Sequence, residues 1–307
     1  MTGLVFLSSG DVIADRRFEW ARDREAQGDL SGAADLLTQT IELAPAYAPA
    51  WFVLGDVRER LGDQAGAIAA FERARVADAL DRHGAALRLA RLGARPAGAM
   101  TKGYVRALFD GYAREFDDAL TRGLNYCAPE LLFRAVEAAH TGQRMKFGSV
   151  LDLGCGTGLA ALPFRPSSDW MVGIDLSPGM LAQARTKGLY DRLVESEILA
   201  FLASEAQIGA RYHLVLAGDV FMYFNDLGPV LKAVARISTL PGHLAFSVET
   251  HDGEGVILRE TLRYAHTEAH VRNALAAAGL RPLSVDFAPT RSEKGQPVPG
   301  LIMVAGS

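Results

Sequence analysis

Two rhythms of apolar residues divide the chain. Over its first hundred residues apolar side chains return every three to four positions, which predicts helices near 14–27, 31–43, 48–60, 64–78 and 82–93. From about residue 130 short apolar runs alternate with helical stretches. The pattern predicts strands at 148–153, 170–174, 192–195, 212–217 and 242–249. Between them it predicts helices at 178–187, 197–206 and 226–238, with a further helix at 129–140 in front. Strands separated by helices imply a parallel, doubly wound sheet. The end differs. A helix at 266–278 stops at Gly279, and SVDFAP and LIMVAG then predict two strands joined by the Gly/Pro-rich RSEKGQPVPG.

The helical part repeats. Gly28-Asp29 returns 34 residues later as Gly62-Asp63, and at the same offset Ala33 maps to Ala67, Leu37 to Phe71 and Thr40 to Ala74. A Gly-Asp turn, an alanine five residues on and a closing Pro45 follow the tetratricopeptide (TPR) pattern. Trp51, Leu54 and Gly55 fit the opening of the second repeat, whereas Arg17, Trp20 and Ala21 fit the first poorly. Such helix pairs bury their apolar faces only against neighbours, and about three repeats are normally needed. The unit is therefore expected to pack on the second domain or on a partner. Two readings stay open: a protein-binding groove lined by Asp15, Phe18, Arg22, Phe52, Asp56 and Glu59, or a stabilising appendage with a solvated face. The linker from Gly93 to Gly103 sets the expected division, a TPR-like domain over 1–95 and a second domain over 96–307. Val105, Leu108, Phe109, Tyr112 and Phe116 at helical spacing then predict an amphipathic helix. It is either plain core or a lid, with Tyr104 or Tyr112 offering a ring face to a cation.

The chemistry concentrates in VLDLGCGTGL, Val150 to Leu159, followed by GIDLSPGML from Gly173. A strand runs into a glycine loop, and a second strand ends on Asp175, 21 residues after Gly154. This layout cradles a nucleoside, with the acid accepting hydrogen bonds from ribose hydroxyls. A dinucleotide fingerprint would need glycine where Leu159 stands, and no Lys-Ser or Lys-Thr follows as in a P-loop. Asp152, two residues before the first glycine, would repel a pyrophosphate and suits a cation. A cationic nucleoside without phosphate points to S-adenosylmethionine (SAM). Cys155 is read as a small residue tolerated beside glycines in preference to a nucleophile.

With these motifs, and with a hairpin closing the sheet, residues from about 104 onward resemble class I SAM-dependent methyltransferases. The whole chain resembles bacterial TPR-containing methyltransferases, FDGYAREFDDAL, YCAPELL and ARTKGLYDRL adding to the likeness. The resemblance implies a Rossmann-like α/β domain, a mostly parallel sheet with an antiparallel C-terminal hairpin, behind a small all-α unit. It implies that Asp152, Gly154, Cys155 and Gly156 line the methionine end of SAM and that Asp175 takes the ribose. Leu176 and Met180 would lie near the adenine, Glu197 at its amino group with Glu195 as the alternative register, and Ile198 would add a backbone contact. Asp219, Val220, Phe221 and Tyr223 would border the reaction centre. Tyr112 is carried as a cofactor contact. Pro163 and Pro166 must shorten the helix after the loop.

Composition narrows partners only a little. A formal net charge of −4 leaves no footprint for nucleic acid, and the tip of the strand at 212–217 lacks the Pro-Pro-Tyr arrangement that methylates planar amino groups and the Pro-Cys of cytosine-C5 enzymes. Two cysteines support neither a disulfide framework nor a multi-cysteine metal site, and no metal is expected. No apolar run reaches a membrane span, and MTGLVFLSSGD lacks the basic start of a signal peptide, so a cytoplasmic protein is expected. Catalysis would rest on aligning a nucleophile with the S–CH3 bond, with His251, Tyr223 and Asp219 as weak candidates for a base. His213, His243, His266 and His270 read as surface or strand-edge residues. The leading expectation is transfer to a small molecule. The alternatives are a protein held by the repeats, or a SAM-binding scaffold without turnover.

Overall fold

The computed structural model describes residues 8–113, 115–140 and 145–306. Met1–Leu7, most of the segment weighed as a leader, and Arg114 of the FDGYAREFDDAL run lie outside them. The chain divides into two compact units, Met1–Gly111 and Tyr112–Ser307.

The first unit is helical: α1 (Val12–Ala26), α2 (Leu30–Leu43), α3 (Ala48–Arg60), α4 (Gln64–Ala77), α5 (Ala85–Arg91) and α6 (Lys102–Asp110). The 34-residue recurrence has a local cause. Gly28 and Gly62 both sit at φ +83°, where L side chains are strained, and reverse the chain after α1 and α3. Asp29 and Asp63 then cap the next helix, accepting from Gly32 N at 2.9 Å and Gly66 N at 2.8 Å. The recurring positions Ala33, Leu37, Thr40, Ala67, Phe71 and Ala74 are all buried. Gly55 lets α3 approach α4, since a Cβ there would lie 2.7 Å from the Phe71 ring.

The second unit begins with one helical turn, α7 (Phe116–Asp118), running into a π-helical turn at Ala119–Gly123, and then α8 (Ala128–Ala139). After these come β1 (Phe147–Leu153), α9 (Ala161–Phe164), β2 (Ser168–Asp175), α10 (Pro178–Lys187), β3 (Arg192–Glu195), α11 (Ile198–Gln207) and β4 (Tyr212–Ala217). The chain continues through α12 (Gly228–Ile237), β5 (Ser238–Glu249), β6 (Val256–Leu258), β7 (Tyr264–His266) and α13 (Glu268–Ala277). It ends with β8 (Arg281–Phe287), β9 (Ser292–Glu293), β10 (Gln296–Pro297) and β11 (Gly300–Gly306). The sheet runs β3-β2-β1-β4-β5-β11-β8, with β6 and β7 beside β5. The first five strands are parallel, and β11 runs antiparallel to both β5 and β8. This is a Rossmann-like, mostly parallel topology closed by an antiparallel hairpin.

Period-two alternation explains why both faces are covered. Leu151, Leu153, Val215, Ala217, Leu244, Phe246, Leu301 and Met303 pack with α11, α12 and α13 on one side. Their neighbours Val150, Leu214, Leu216, Ala245, Ile302 and Val304 pack with α8 and α9 on the other. Strands buried on both faces must be apolar at nearly every position. Asp152 is the exception in β1, and it falls on the α8–α9 side. The two prolines act as expected: α9 is one turn, followed by a 3₁₀ turn at Arg165–Ser167.

Two expectations change. The helix written from Val105 to Phe116 breaks at Gly111, and α6 belongs to the first unit. There Tyr104 is buried, its ring 2.7 Å from where a Cβ of Gly84 would stand, and Thr101 Oγ1 donates to Leu80 O at 3.1 Å. Tyr104 is core, not lid. The supposed loop RSEKGQPVPG contains the two-stranded ribbon of β9 and β10. If the Gly-Asp turns hold the helical unit, Asp29→Ala and Asp63→Ala each lower its unfolding free energy by about 1 kcal/mol in chemical denaturation.

Candidate cofactor and acceptor site

β1 ends and the chain turns through three glycines at positive φ: Gly154 at +62°, Gly156 at +53° and Gly158 at +91°. A Cβ on Gly154 would also lie 2.7 Å from Val220 Cγ2, so the loop and the chain after β4 are in contact. Cys155 N donates to Ile174 O at 2.8 Å and Gly158 N to Cys155 O at 2.8 Å, which ties the loop to β2. Cys155 is a buried free thiol. Burial, with the charges of Asp152 and Asp175 nearby, pushes it well above the usual thiol range. A thiol held neutral is a poor nucleophile.

Asp175, at the tip of β2, is buried and shapes the same loop. Its Oδ2 accepts from Gly156 N at 2.9 Å and its Oδ1 from Ser177 N at 2.8 Å. Leu176 follows half-buried, and Met180 is fully buried in the first turn of α10, its N–H capped by Ser177 Oγ at 3.0 Å. Ser196 N donates to Asp175 O at 3.0 Å, which brings the start of α11 to the β2 tip. Glu197 caps that helix, accepting from Leu199 N and Ala200 N at 3.0 Å each, and Ile198 beside it is half-buried. Glu195, the alternative register, is exposed on β3.

Asp152 is 1% exposed. Its Oδ2 accepts a hydrogen bond from the Tyr190 hydroxyl at 2.6 Å. Burial lifts its pKa to about 7, Tyr190 opposing the rise and the charge of Asp175 adding to it. Two buried carboxylates behind a backbone cradle make a pocket that gains from an incoming positive charge. Residues preceding α8 also reach the loop: Phe116 Cε1 lies 3.9 Å from the Cβ position of Gly156. Asp117 accepts from the Thr157 hydroxyl and pairs with Lys187 Nζ at 2.6 Å. Tyr112 is 38% exposed and stacks edge-on against Phe116, with centroids 5.9 Å apart.

The β4 tip is different in kind. Asp219 stands at φ +53°, in the left-handed region, and every polar group around it is engaged. Its N–H donates to Ser247 Oγ at 2.7 Å, Oδ1 accepts from the same hydroxyl at 2.8 Å, and Oδ2 accepts from Thr290 Oγ1 at 3.0 Å. Arg291 Nη1 completes the set at 2.6 Å. Arg291 is 5% exposed and also binds Glu249 and Glu293. Burial opposes its charge, but Asp219, Glu249 and Glu293 outweigh that and hold it protonated. Arg263 and Arg259 add further bonds to Glu249. Asp219 is thus the anchor of a buried ionic cluster. Tyr126 lies between this cluster and the glycine loop, its phenol raised well above 10 by burial and by the charges of Asp219 and Asp152. Of the other base candidates, Tyr223 is half-buried after β4 and His251 Nδ1 accepts from Gly253 N at 3.1 Å.

His266 was expected at a strand edge and is instead fully buried, with Nε2 2.9 Å from Phe224 O and its pKa lowered to about 4 by burial and by His270. Sequence reading also missed Tyr190, Asp117, Arg291 and Glu249. Tyr190 and Asp117 had a visible signal, lying in the ARTKGLYDRL and FDGYAREFDDAL runs.

Residues 150–240 match the family model described as a methyltransferase domain. Malonyl-[acyl-carrier protein] O-methyltransferase of Acetivibrio thermocellus is 36% identical over 106 residues, which are 33% of this chain and 36% of that protein. Methyltransferase-like protein 27 of Homo sapiens is 40% identical over 86 residues, covering 28% of this chain and 34% of that one. The chain therefore spans about a third of the length of these relatives. Among solved structures, magnesium protoporphyrin IX methyltransferase of Synechocystis with bound SAM aligns over 69% of this chain and 99% of its own, at TM-score 0.50 and 18% identity. The Burkholderia thailandensis 1,6-didemethyltoxoflavin-N1-methyltransferase aligns over 69% and 93%, at TM-score 0.52 and 21% identity. That structure holds its substrate and S-adenosylhomocysteine. Residues 150–240 of the second unit thus match a methyltransferase domain, and the unit shares its fold with these solved methyltransferases.

Two outcomes follow from the buried charges. A folded-state pKa of about 7 against an ordinary 3.8 means that Asp152 weakens the fold as pH rises from about 4 to about 7. Asp152→Asn has no proton to lose there, so its stability relative to wild type improves by a few kcal/mol from about pH 4 to about pH 8 in urea titrations. Arg291→Ala leaves buried carboxylates uncompensated and lowers unfolding free energy by about 3–5 kcal/mol at neutral pH.

Proposed function

We propose that the methyltransferase domain of the second unit is catalytically active and transfers the methyl group of SAM to a small molecule presenting a carboxylate. One observation carries the cofactor reading: the buried carboxylates of Asp152 and Asp175 flank a glycine loop that a side chain would close. When bound, SAM supplies an already activated methyl group. The chain's task is then to bind, orient and exclude water, and such positioning accounts for about 7–11 kcal/mol of a barrier. In this reading Asp152 and the Gly154–Gly156 backbone receive the methionine end, Asp175 the ribose, and Leu176, Glu197 and Ile198 the adenine side. Phe116, with Tyr112 stacked on it, shields the loop from solvent.

The carboxylate acceptor is supported by two points. The relatives named as malonyl-[acyl-carrier protein] O-methyltransferases act on that carrier-bound acid. Asp219, the acid at the β4 tip, is committed to Ser247, Thr290 and Arg291, which leaves it no free role as a base. A carboxylate is already deprotonated at neutral pH and needs none.

The helical unit is read as TPR-like repeats that serve as a stabilising appendage. The side chains suggested for a groove are largely used internally. Phe18 stacks on Tyr47, Phe52 on Phe71 and His83, Asp56 pairs with Arg88, and Glu59 with Arg91 and Arg88. Protein methylation through that groove is correspondingly disfavoured. Among the described residues no helix is long and apolar enough to cross a membrane. Both cysteines are free thiols, the state a reducing cytoplasm maintains.

Calorimetry with SAM and S-adenosylhomocysteine tests the site. Both should bind, Asp175→Ala should weaken them by at least tenfold, and SAM binding near pH 7 should release protons as Asp152 ionises beside the cation. Absence of binding by folded protein excludes the reading. With labelled SAM and a set of carboxylic acids, the product should be an alkali-labile ester, releasing its label as methanol.

A further inference from the structure

The run GLYD, Gly188 to Asp191, is the part of the sequence likeness that the cofactor reading leaves without a role. Each of its residues has a structural cause. Gly188 at φ +63° ends α10, and Leu189 packs with the core beneath β1. Asp191 N donates to Met171 O at 2.9 Å, and Asp191 Oδ2 accepts from Met171 N at 2.7 Å. Arg165 Nη1 holds the same oxygen at 2.7 Å. These three bonds pin the chain immediately after one inward-pointing ring, Tyr190.

That ring occupies a slot made by two glycines. A Cβ on Gly173 of β2 would lie 2.8 Å from Tyr190 Cε1, and a Cβ on Gly158 would lie 3.0 Å from Cε2. Gly158 is therefore small for two reasons, its left-handed backbone and the phenol beside it. At the end of the slot the hydroxyl donates to Asp152 Oδ2. When Asp152 is ionised the proton has one direction in this contact, because a carboxylate can only accept.

We propose that Tyr190 is a positioning residue of the cofactor site, favouring the ionised form of Asp152 and aiming it beneath the glycine loop so that the loop receives a cation. This rests on the SAM reading above. The hydroxyl opposes what burial does to Asp152, and the other titratable groups facing that carboxylate give it no cationic help. They are Asp175 from β2, the Cys155 thiol from the loop and the Tyr126 phenol from the segment before α8. Tyr190 is the one hydrogen-bond donor to the Asp152 side chain among the described contacts.

The test is SAM affinity against pH, by calorimetry, for wild type, Tyr190→Phe, Asp152→Asn and the double variant. Phenylalanine keeps the ring in its slot and removes only the donor. Tyr190→Phe should bind SAM about tenfold more weakly near neutral pH, the scale of one hydrogen bond to a charged group. The pH at which affinity falls on acidification should move upward in this variant. In the Asp152→Asn background the same change should cost almost nothing and shift no midpoint. A Tyr190→Phe curve that overlays wild type at every pH overturns the proposal while leaving the SAM reading intact. So does an equal loss in the Asp152→Asn background. Failure of folded wild type to bind SAM overturns the cofactor reading and the role of Tyr190 with it.

Discussion

A carboxylate buried in the middle of a two-faced sheet is costly, and the placement of Asp152 constrains what surrounds it. Its strand is covered by helices on both sides, so water cannot solvate the charge. The chain answers with a single phenol at 2.6 Å and leaves the remaining deficit in place, which is why the acid's pKa stands near 7. A fold optimised for stability alone would put an apolar residue there. The deficit is relieved by a proton below about pH 7 or, in the proposed reading, by a positive charge arriving at the loop.

The other acidic tip is resolved in the opposite way. Asp219 and Glu249 are buried too, but Arg291, Arg263 and Arg259 neutralise them locally. Such a cluster is not an efficient source of stability. It does hold a non-glycine residue in a left-handed conformation and joins β4, β5, the β6–β7 turn and the β9 ribbon around one guanidinium. One carboxylate is left available to a ligand and the other is consumed by the protein. The difference lies in the partners, Asp152 sitting within apolar β1 and Asp219 just past apolar β4.

The elements themselves were legible because their causes are local. β3 and β4 begin and end where the apolar runs do, and α10 spans the residues its serine cap and terminal glycine delimit. Gly154, Gly156 and Asp175 were likewise readable, since close backbone approach demands glycine and a strand tip presents its last side chain. The helix expected through Phe116 failed for a physical reason. Amphipathic spacing continues across Gly111, but α6 buries Tyr104 against Gly84, while Phe116 belongs to the glycine loop.

By itself the sequence determined the strands of the main sheet path, β1 to β5, β8 and β11, the helices between them, the glycine loop and the acids that suit a cationic nucleoside. All of these depend on periodicity, on φ and on spacing within about one β-α-β unit. Only the tertiary structure decided which groups partner each acid. Asp152 meets Tyr190 across 38 residues, and Asp219 meets Arg291 across 72. Contacts at such separations leave no rhythm in the chain, because they are set by the stacking order of the strands and not by neighbouring residues.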